Sequence, residues 1–409
     1  MKTKPHLKFI HCADLHIDSP FKGVGELPPP LNRQVRESTF FALDRLVDLA
    51  VTHEVDFVLM SGDLFDEEIR SLRAQIKLRD AFRKLKENGI KVFASHGNHD
   101  YLSADFHHVT YPDNVHVFKE EQVTHEAFSK NGEIQAIIYG FSYHNRAVKE
   151  RKAAEYIRTA DHAYHIAMLH GSIETNTEHD VYAPFRLGEL QEKMMDYWAL
   201  GHIHKRTKLA EDPPIIYPGN IQGRSIKEPC EKGCYLVEMG ENGTNLTFLP
   251  LQAFRFETFH LSTKAESFDE LEQVITTKKE EWRNTGPAII HLHITGGEGL
   301  ATLRHHHQEM EELVEIINEQ EQSEDQWLWI RKVDIEAVSP WDEGQLMQEK
   351  HFVGEMLRQF QQAEEMDDWL KPLYRHRKAR KHLEVLREEE KEQVMQEAKD
   401  LLLMELLKR

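Results

Sequence analysis

The feature that most constrains this chain is a repeated ending. Across residues 1–250, short apolar runs stop again and again in turns of Gly, Asp, Asn or His. Residues 7–11 lead into Asp14-Leu15-His16, residues 56–60 into Ser61-Gly62-Asp63, and residues 91–94 into Gly97-Asn98-His99-Asp100. Residues 165–169 end in His170-Gly171, and residues 197–200 in Gly201-His202-Ile203-His204. With residues 134–139, these runs read as buried strands alternating with amphipathic segments, the signature of stacked β and α layers. In open sheets whose strands run the same way, ligands gather at the strand C-terminal ends, where loops carry polar groups without disturbing the core. Five such loops bearing metal-ligand side chains imply one shared site.

The donor types narrow its chemistry. Asp14 and His16 turn toward one ion only if the backbone curves at Leu15, and Asp63 follows a glycine that permits a sharp bend. A carboxylate placed there can bridge two cations. Asn98 adds a neutral oxygen, and His170, His202 and His204 add imidazoles. Mixed imidazole and carboxylate donors suit Mn²⁺, Fe²⁺ or Zn²⁺ better than Mg²⁺ or Ca²⁺. Composition sharpens the reading: 51 Lys plus Arg against 70 Asp plus Glu leave a formal charge of −19, which excludes a generally basic nucleic-acid coat. Any phosphate-bearing partner is therefore met locally, by metals or by basic residues near the motifs such as Lys22, Arg146, Lys205, Arg206 and Arg224.

The 409 residues accommodate about two to three domains. Residues 251–340 read as a small α+β unit of order βαβαβ, with Ser267 and Glu270 as a capping box opening a helix that runs to Trp282. Residues 341–409 read as helical, with a basic run at Lys371, Arg375, Arg377, Lys378, Arg380 and Lys381. The terminal Leu401-Leu402-Leu403-Met404-Glu405-Leu406-Leu407 is apolar around most of its circumference and wants a covering surface. Cys12, Cys230 and Cys234 are too few and too uneven for a disulfide framework, which places the chain in a reducing, cytoplasmic setting. Neither a signal peptide nor a run of about 20 apolar residues is visible, so a soluble protein without membrane contact is expected.

Taken together and in order, these motifs resemble those of the calcineurin-like metallophosphoesterases, over residues 1–250. Within that superfamily the run Ser61-Gly62-Asp63-Leu64-Phe65-Asp66 and the turn Tyr217-Pro218-Gly219-Asn220 are similar to those of the SbcD-like and YhaO-like exonucleases of double-strand-break repair. The Asp-Arg-Gly triplet of protein serine/threonine phosphatases does not follow Asp63.

The resemblance implies a four-layer αββα metallophosphoesterase sandwich (1–250), a small α+β capping domain (251–340) and a C-terminal helical region (341–409). It implies two divalent ions, Mn²⁺ foremost, one held by Asp14, His16, Asp63 and His204, the other by Asp63, Asn98, His170 and His202, with Asp63 bridging. His99 becomes the catalytic histidine at the scissile phosphate. Eukaryotic and archaeal relatives tend to carry a histidine where this chain has Asp66. The implied activity is two-metal hydrolysis of DNA by a homodimer working with an SbcC-like (SMC-like) ATPase, which Leu401, Leu402 and Leu406 would contact.

Two other readings stand beside it: a phosphodiesterase for nucleotides or small phosphoesters, and a scaffold that binds DNA ends or an ATPase without catalysis. His305-His306-His307 and His107-His108 read as solvated surface, Cys12 as a small buried residue, His11 as a packed neighbour of the site and His96 as its outer support. The basic run divides evenly between a solvated helix face and a contact for DNA or an acidic partner.

Overall fold

Along strand β1 (Leu7–Cys12) side chains alternate between two cores: Leu7 and Phe9 join one, Ile10 and Cys12 another. A strand with both faces buried must lie inside a layered stack. A computed structural model of the chain describes residues 5–66, 71–102, 109–159, 163–175, 181–337, 341–362, 366–378, 386 and 388–407. It divides into two compact units, Met1–Phe259 with Lys279–Leu292 and Asn318–Lys332, and His260–Lys278 with His293–Ile317 and Val333–Arg409.

In the first unit β1 is followed by α1 (Pro29–Thr52), β2 (Phe57–Ser61), α2 (Leu72–Glu87), β3 (Lys91–Ser95) and β4 (Val115–Val117). Pro29 and Pro30 open α1, where a missing N–H costs nothing, and the Ser71 hydroxyl accepts from the Ala74 amide at 3.0 Å to cap α2. Next come β5 (Thr124–Lys130), β6 (Glu133–Gly140), β7 (Tyr164–His170), α3 (Leu187–Glu192) and β8 (Tyr197–Gly201). Then follow β9 (Thr207–Glu211), β10 (Pro214–Tyr217), β11 (Gly233–Gly240) and β12 (Gly243–Pro250). One sheet has the order β12-β11-β1-β2-β3-β4 and the other β5-β6-β7-β8-β10-β9. β1 to β4 run parallel, as do β6, β7, β8 and β10.

Phe9, Phe57, Leu59 and Phe93 of the first sheet interleave with Ile138, Ile166, Met168 and Ala199 of the second. On the outer face of the first sheet, Ile10, Val58 and Met60 pack under Leu43 and Leu46 of α1 and Leu78 and Phe82 of α2. On the outer face of the second, Ala167, Leu169 and Trp198 pack under Tyr156, Phe185 and Leu190. The fold is thus a four-layer α/β sandwich. Each fully buried aromatic or aliphatic side chain contributes about 1.5–3 kcal/mol.

Of the strands among the described residues of 1–250, the sequence reading anticipates β1, β2, β3, β6, β7 and β8 within one or two residues; β4, β5 and β9 to β12 it does not name.

The remaining elements are β13 (Arg255–Thr263), α4 (Phe268–Trp282), β14 (Ala288–Gly296), α5 (Glu298–Arg304), α6 (His307–Glu319) and β15 (Leu328–Ala337), with a three-stranded sheet of order β13-β14-β15. Ser267 accepts from the Glu270 amide at 3.3 Å, but Glu270 reaches back to the Glu266 amide rather than that of Ser267, so the expected capping box closes one residue early. In the second unit α7 (Glu343–Gln348), α8 (Phe352–Gln362), α9 (Met366–Arg375) and α10 (Glu388–Leu407) follow. There Arg304 pairs with Asp400 at 2.6 Å and Lys399 with Glu343 at 2.8 Å.

Candidate metal centre

Five loops leave the C-terminal ends of β1, β2, β3, β7 and β8, and their polar side chains converge. Asp14, His16, Asp63 and His202 all have positive φ, at 50°, 42°, 49° and 97°. Residues other than glycine adopt that region at a cost of order 1–3 kcal/mol, and such strain clusters where side-chain direction matters more than backbone comfort. Gly62 (φ 85°) and Gly97 leave the necessary room: a Cβ on Gly62 would lie 2.2 Å from Nδ1 of His170, and one on Gly97 would lie 2.4 Å from Oδ1 of Asp63.

Nε2 of His16 and Nε2 of His204 face each other at 3.1 Å. Oδ1 of Asn98 lies 3.0 Å from both Nε2 of His170 and Nδ1 of His202. Between these groups sits Asp63, whose Oδ2 is 3.7 Å from Nε2 of His16 and 3.4 Å from Nε2 of His170. That oxygen is buried and accepts no hydrogen bond, and Nδ1 of His16 is likewise buried without one. A buried carboxylate oxygen with no donor is costly unless a cation completes it. The donor set of carboxylate, imidazole and amide oxygen therefore fits divalent metals.

The surrounding hydrogen bonds fix these directions. Nδ1 of His170 lies 3.0 Å from the Ser61 carbonyl, which can only accept, so that nitrogen carries the proton and Nε2 faces the centre. The His202 amide donates to both oxygens of Asp14, at 3.0 and 3.1 Å. Asp100 ties two loops together, accepting from the amides of Gly97 (2.7 Å) and Leu64 (2.9 Å), with Nδ1 of His96 2.9 Å away. Electrostatics follow from burial and crowding. Burial raises the Asp14 carboxyl to about 6. Burial alone would lower His170, but the carboxylates of Asp63 and Asp14 hold it at about 9. Asp63 is itself kept well below the carboxylate range, its burial outweighed by His170 and His16.

His99 stands at the open side, its side chain 31% exposed. Its amide donates to Oδ1 of Asp63 at 2.9 Å, and its Nδ1 faces Oδ1 of Asp66 at 3.7 Å. Burial would lower its pKa, yet Asp66 and Asp63 raise it above the ordinary imidazole value. Asp66 accepts from Arg224 Nη1 at 2.5 Å and from Ser19 at 3.0 Å. A cleft of about 250 Å³ beside His99 is lined by Pro20, Lys22, Asp66, Arg224, Ser225 and Glu228.

The sequence-derived basic residues separate here. Lys22 and Arg224 line the cleft, Lys205 is exposed, Arg146 is exposed, and the Arg206 guanidinium stacks 3.8 Å over the ring of Phe248. His11 is buried between the Tyr197 hydroxyl (3.0 Å) and the Leu200 carbonyl (3.1 Å), and Cys12 is buried. His306 and His307 are exposed and His305 is half-buried, while His107 and His108 lie outside the described residues. Lys371, Arg375, Arg377 and Lys378 are exposed; Arg380 and Lys381 lie outside the described residues. In α10, Leu401, Leu402 and Leu406 are 50%, 41% and 43% exposed. Sequence reasoning missed Glu228, whose Oε1 lies 2.7 Å from Nδ1 of His204, and the loop-tying role of Asp100. Asp100 stands inside a recognisable motif; Glu228 follows no pattern that would single it out.

A layered sandwich with strained acidic and imidazole donors at its strand ends is the architecture of a metal-dependent phosphoesterase, and the chain belongs to the calcineurin-like phosphoesterase family, whose sequence pattern matches residues 7–206. It is 38% identical over 403 residues to the uncharacterized metallophosphoesterase YhaO of Bacillus subtilis, covering 98% of each chain. It is also 27% identical over 270 residues to the DNA double-strand break repair protein Mre11 of Thermoplasma acidophilum, covering 60% of this chain and 66% of that one. The corresponding protein of Methanocaldococcus jannaschii is 26% identical over 254 residues, 59% of this chain and 65% of its own. The protein is thus a metallophosphoesterase of a family that uses divalent metals. No helix among the described residues is long and apolar enough to cross a membrane.

Proposed function

We propose that this protein is a DNA nuclease that hydrolyses phosphodiesters with two divalent cations, Mn²⁺ foremost. The observation that carries the reading is the unsatisfied Oδ2 of Asp63, set between His16 and His170. Asp14, His16, Asp63 and His204 would hold one cation, and Asp63, Asn98, His170 and His202 the other, in keeping with the two groups of short donor distances. Such a pair supplies Lewis acidity toward the phosphate and an activated water. His99, partly open and held toward its protonated form by two carboxylates, stabilises or protonates the leaving oxygen. Lys22 and Arg224, on the wall of the adjoining cleft, contact flanking phosphates, with the exposed Lys205 and Arg206 as further contacts.

DNA is favoured as substrate by the relatives named for double-strand break repair. We assign residues 1–250 to the nuclease, 251–340 to a cap and 341–409 to partner binding, with the exposed Leu401, Leu402 and Leu406 as contacts for an SMC-like ATPase in a homodimeric, cytoplasmic assembly. The test is digestion of end-labelled duplex and single-stranded DNA with Mn²⁺, beside hydrolysis of bis-p-nitrophenyl phosphate. Cleavage of DNA that His99→Ala and Asp63→Asn strongly reduce is expected. Hydrolysis of the small ester without DNA cleavage, with and without the ATPase, would move the protein to small phosphoesters. Inertness toward both would leave the scaffold reading.

A further inference from the structure

Three of the imidazoles at the centre differ in what holds their outer nitrogen. His170 is oriented by a backbone carbonyl, that of Ser61, and His202 uses Nδ1 inward, toward Asn98. His204 is met on its outer nitrogen by a side-chain carboxylate, Oε1 of Glu228 at 2.7 Å. The other oxygen of that carboxylate accepts from Asn220 Nδ2 and from the Arg224 amide, both at 2.8 Å. The loop that carries Glu228 is fixed in turn. Gly219, at φ 80°, passes so close beneath His204 that a Cβ would sit 2.8 Å from its carbonyl oxygen, and that same oxygen accepts from Lys232 Nζ at 2.9 Å. The Glu228 amide donates to the Ser225 carbonyl at 2.9 Å, and the Arg224 carbonyl accepts from the Lys22 amide at 3.0 Å.

We propose that Glu228 is a positioning residue for one of the two cation sites, holding the proton of His204 on Nδ1 so that Nε2 offers its lone pair beside Nε2 of His16. The inference rests on the two-cation reading above and goes beyond it by making one site depend on a side chain outside the ligand set. An ionised carboxylate can only accept, so Nδ1 of His204 must donate. With the proton there, Nε2 of His204 can only accept, and its 3.1 Å approach to Nε2 of His16 becomes a converging pair of donors to one ion. A carboxylate behind a ligand imidazole also increases its electron donation. Glu228→Gln keeps the shape and can keep the bonds from Asn220 and Arg224 on its remaining oxygen. It then presents an N–H₂ to Nδ1, which drives the ring proton to Nε2, where it blocks the ion.

Calorimetric titration of the metal-free full chain with Mn²⁺ reads this without catalysis. The parent chain is expected to bind two ions. In Glu228→Gln one site weakens by about 10–100-fold while the other stays within about twofold, and Glu228→Asp recovers part of the loss. The metal-free variants should unfold at the parent's temperature, which excludes general loosening. If Glu228→Gln fails to fold, Asn220→Ala takes its place, removing one bond that steadies the carboxylate, with a few-fold weakening of the same site expected. Two parental affinities in whichever variant folds would overturn the positioning role alone. A parent chain that binds no pair of Mn²⁺ would overturn the two-cation reading, and this inference with it.

Discussion

Two clusters of buried charge lie in the first unit, and they are built in opposite ways. Around Glu321, which is 1% exposed, every strong group has its partner: Lys279 Nζ at 2.9 Å, Arg283 at 2.7 and 2.9 Å, and the Leu328 amide at 2.7 Å. Around Asp63 the carboxylate keeps an oxygen without a donor, imidazole nitrogens face one another, and four residues sit in the left-handed region. The first arrangement fastens the end of α4 to the start of β15. The second has incomplete pairing in a place where incompleteness is costly, which is what a site built around a cation requires.

The sharpest way to break this comparison is to remove one charge from each cluster. Asp63→Asn is expected to lower phosphoester hydrolysis by more than about 10³-fold while destabilising the metal-free chain less than loss of Glu321 does, since the Asn side-chain oxygen keeps the acceptor for the His99 amide and only the pull of His170 and His16 on the charge is lost. His99→Ala, which spares the proposed ligands, should cost about 10²–10⁴-fold in kcat. Steady-state kinetics with Mn²⁺ and urea unfolding without it separate the two effects. A strongly destabilised Asp63→Asn would show that the carboxylate fastens the fold. Glu321→Ala should do the reverse, losing about 3–5 kcal/mol because the carboxylate shared by Lys279 and Arg283 is removed from a buried place, with kcat of the folded fraction unchanged.

How far the two clusters could be read in the sequence differs for the same reason. Asp14, Asp63, Asn98, His170 and His202 follow buried apolar runs, so their position after strand ends marks them from the amino-acid pattern alone. β5 shows why other elements are silent: Thr124–Lys130 is an edge strand with only Phe128 buried, so its composition resembles a loop. Glu321 lies in a short turn among other acids, and Glu228 reaches His204 across 24 residues of folded-back chain. Neither carries a periodic signal, because the partner of each is set by tertiary contact rather than spacing.

His11 extends the comparison to a buried group that is complete yet sensitive to pH. Both its nitrogens are engaged, by the Tyr197 hydroxyl and the Leu200 carbonyl, and burial pushes its pKa down from 6.5 to about 3. Between those values the unfolded chain binds a proton that the folded chain refuses. The contribution to stability is therefore complete above pH 6.5 and shrinks as pH falls toward 3. From this residue alone the loss at about pH 5.5 is about 1.4 kcal/mol. Urea unfolding at about pH 7.5 and about pH 5.5 checks it, and His11→Gln should remove that increment; an unchanged pH response in the variant would assign it to other groups.

The smallest expected effect is that of an exposed leucine in α10, set against a buried one on the same helix. Leu403 is fully buried, and Leu403→Ala should cost about 2–5 kcal/mol. Leu401, Leu402 and Leu406 are between 41% and 50% exposed, and substitution of Leu402 by Ser should change stability by no more than about 0.5 kcal/mol. If these side chains serve an SMC-like ATPase, Leu402→Ser will bind that subunit more weakly while unfolding like the parent. A loss of stability as large as that of Leu403→Ala would mean that the leucines are already covered by their own chain. The exposed row of α10 would then belong with the Glu321 cluster, as structure, rather than with the Asp63 centre, as a surface awaiting its partner.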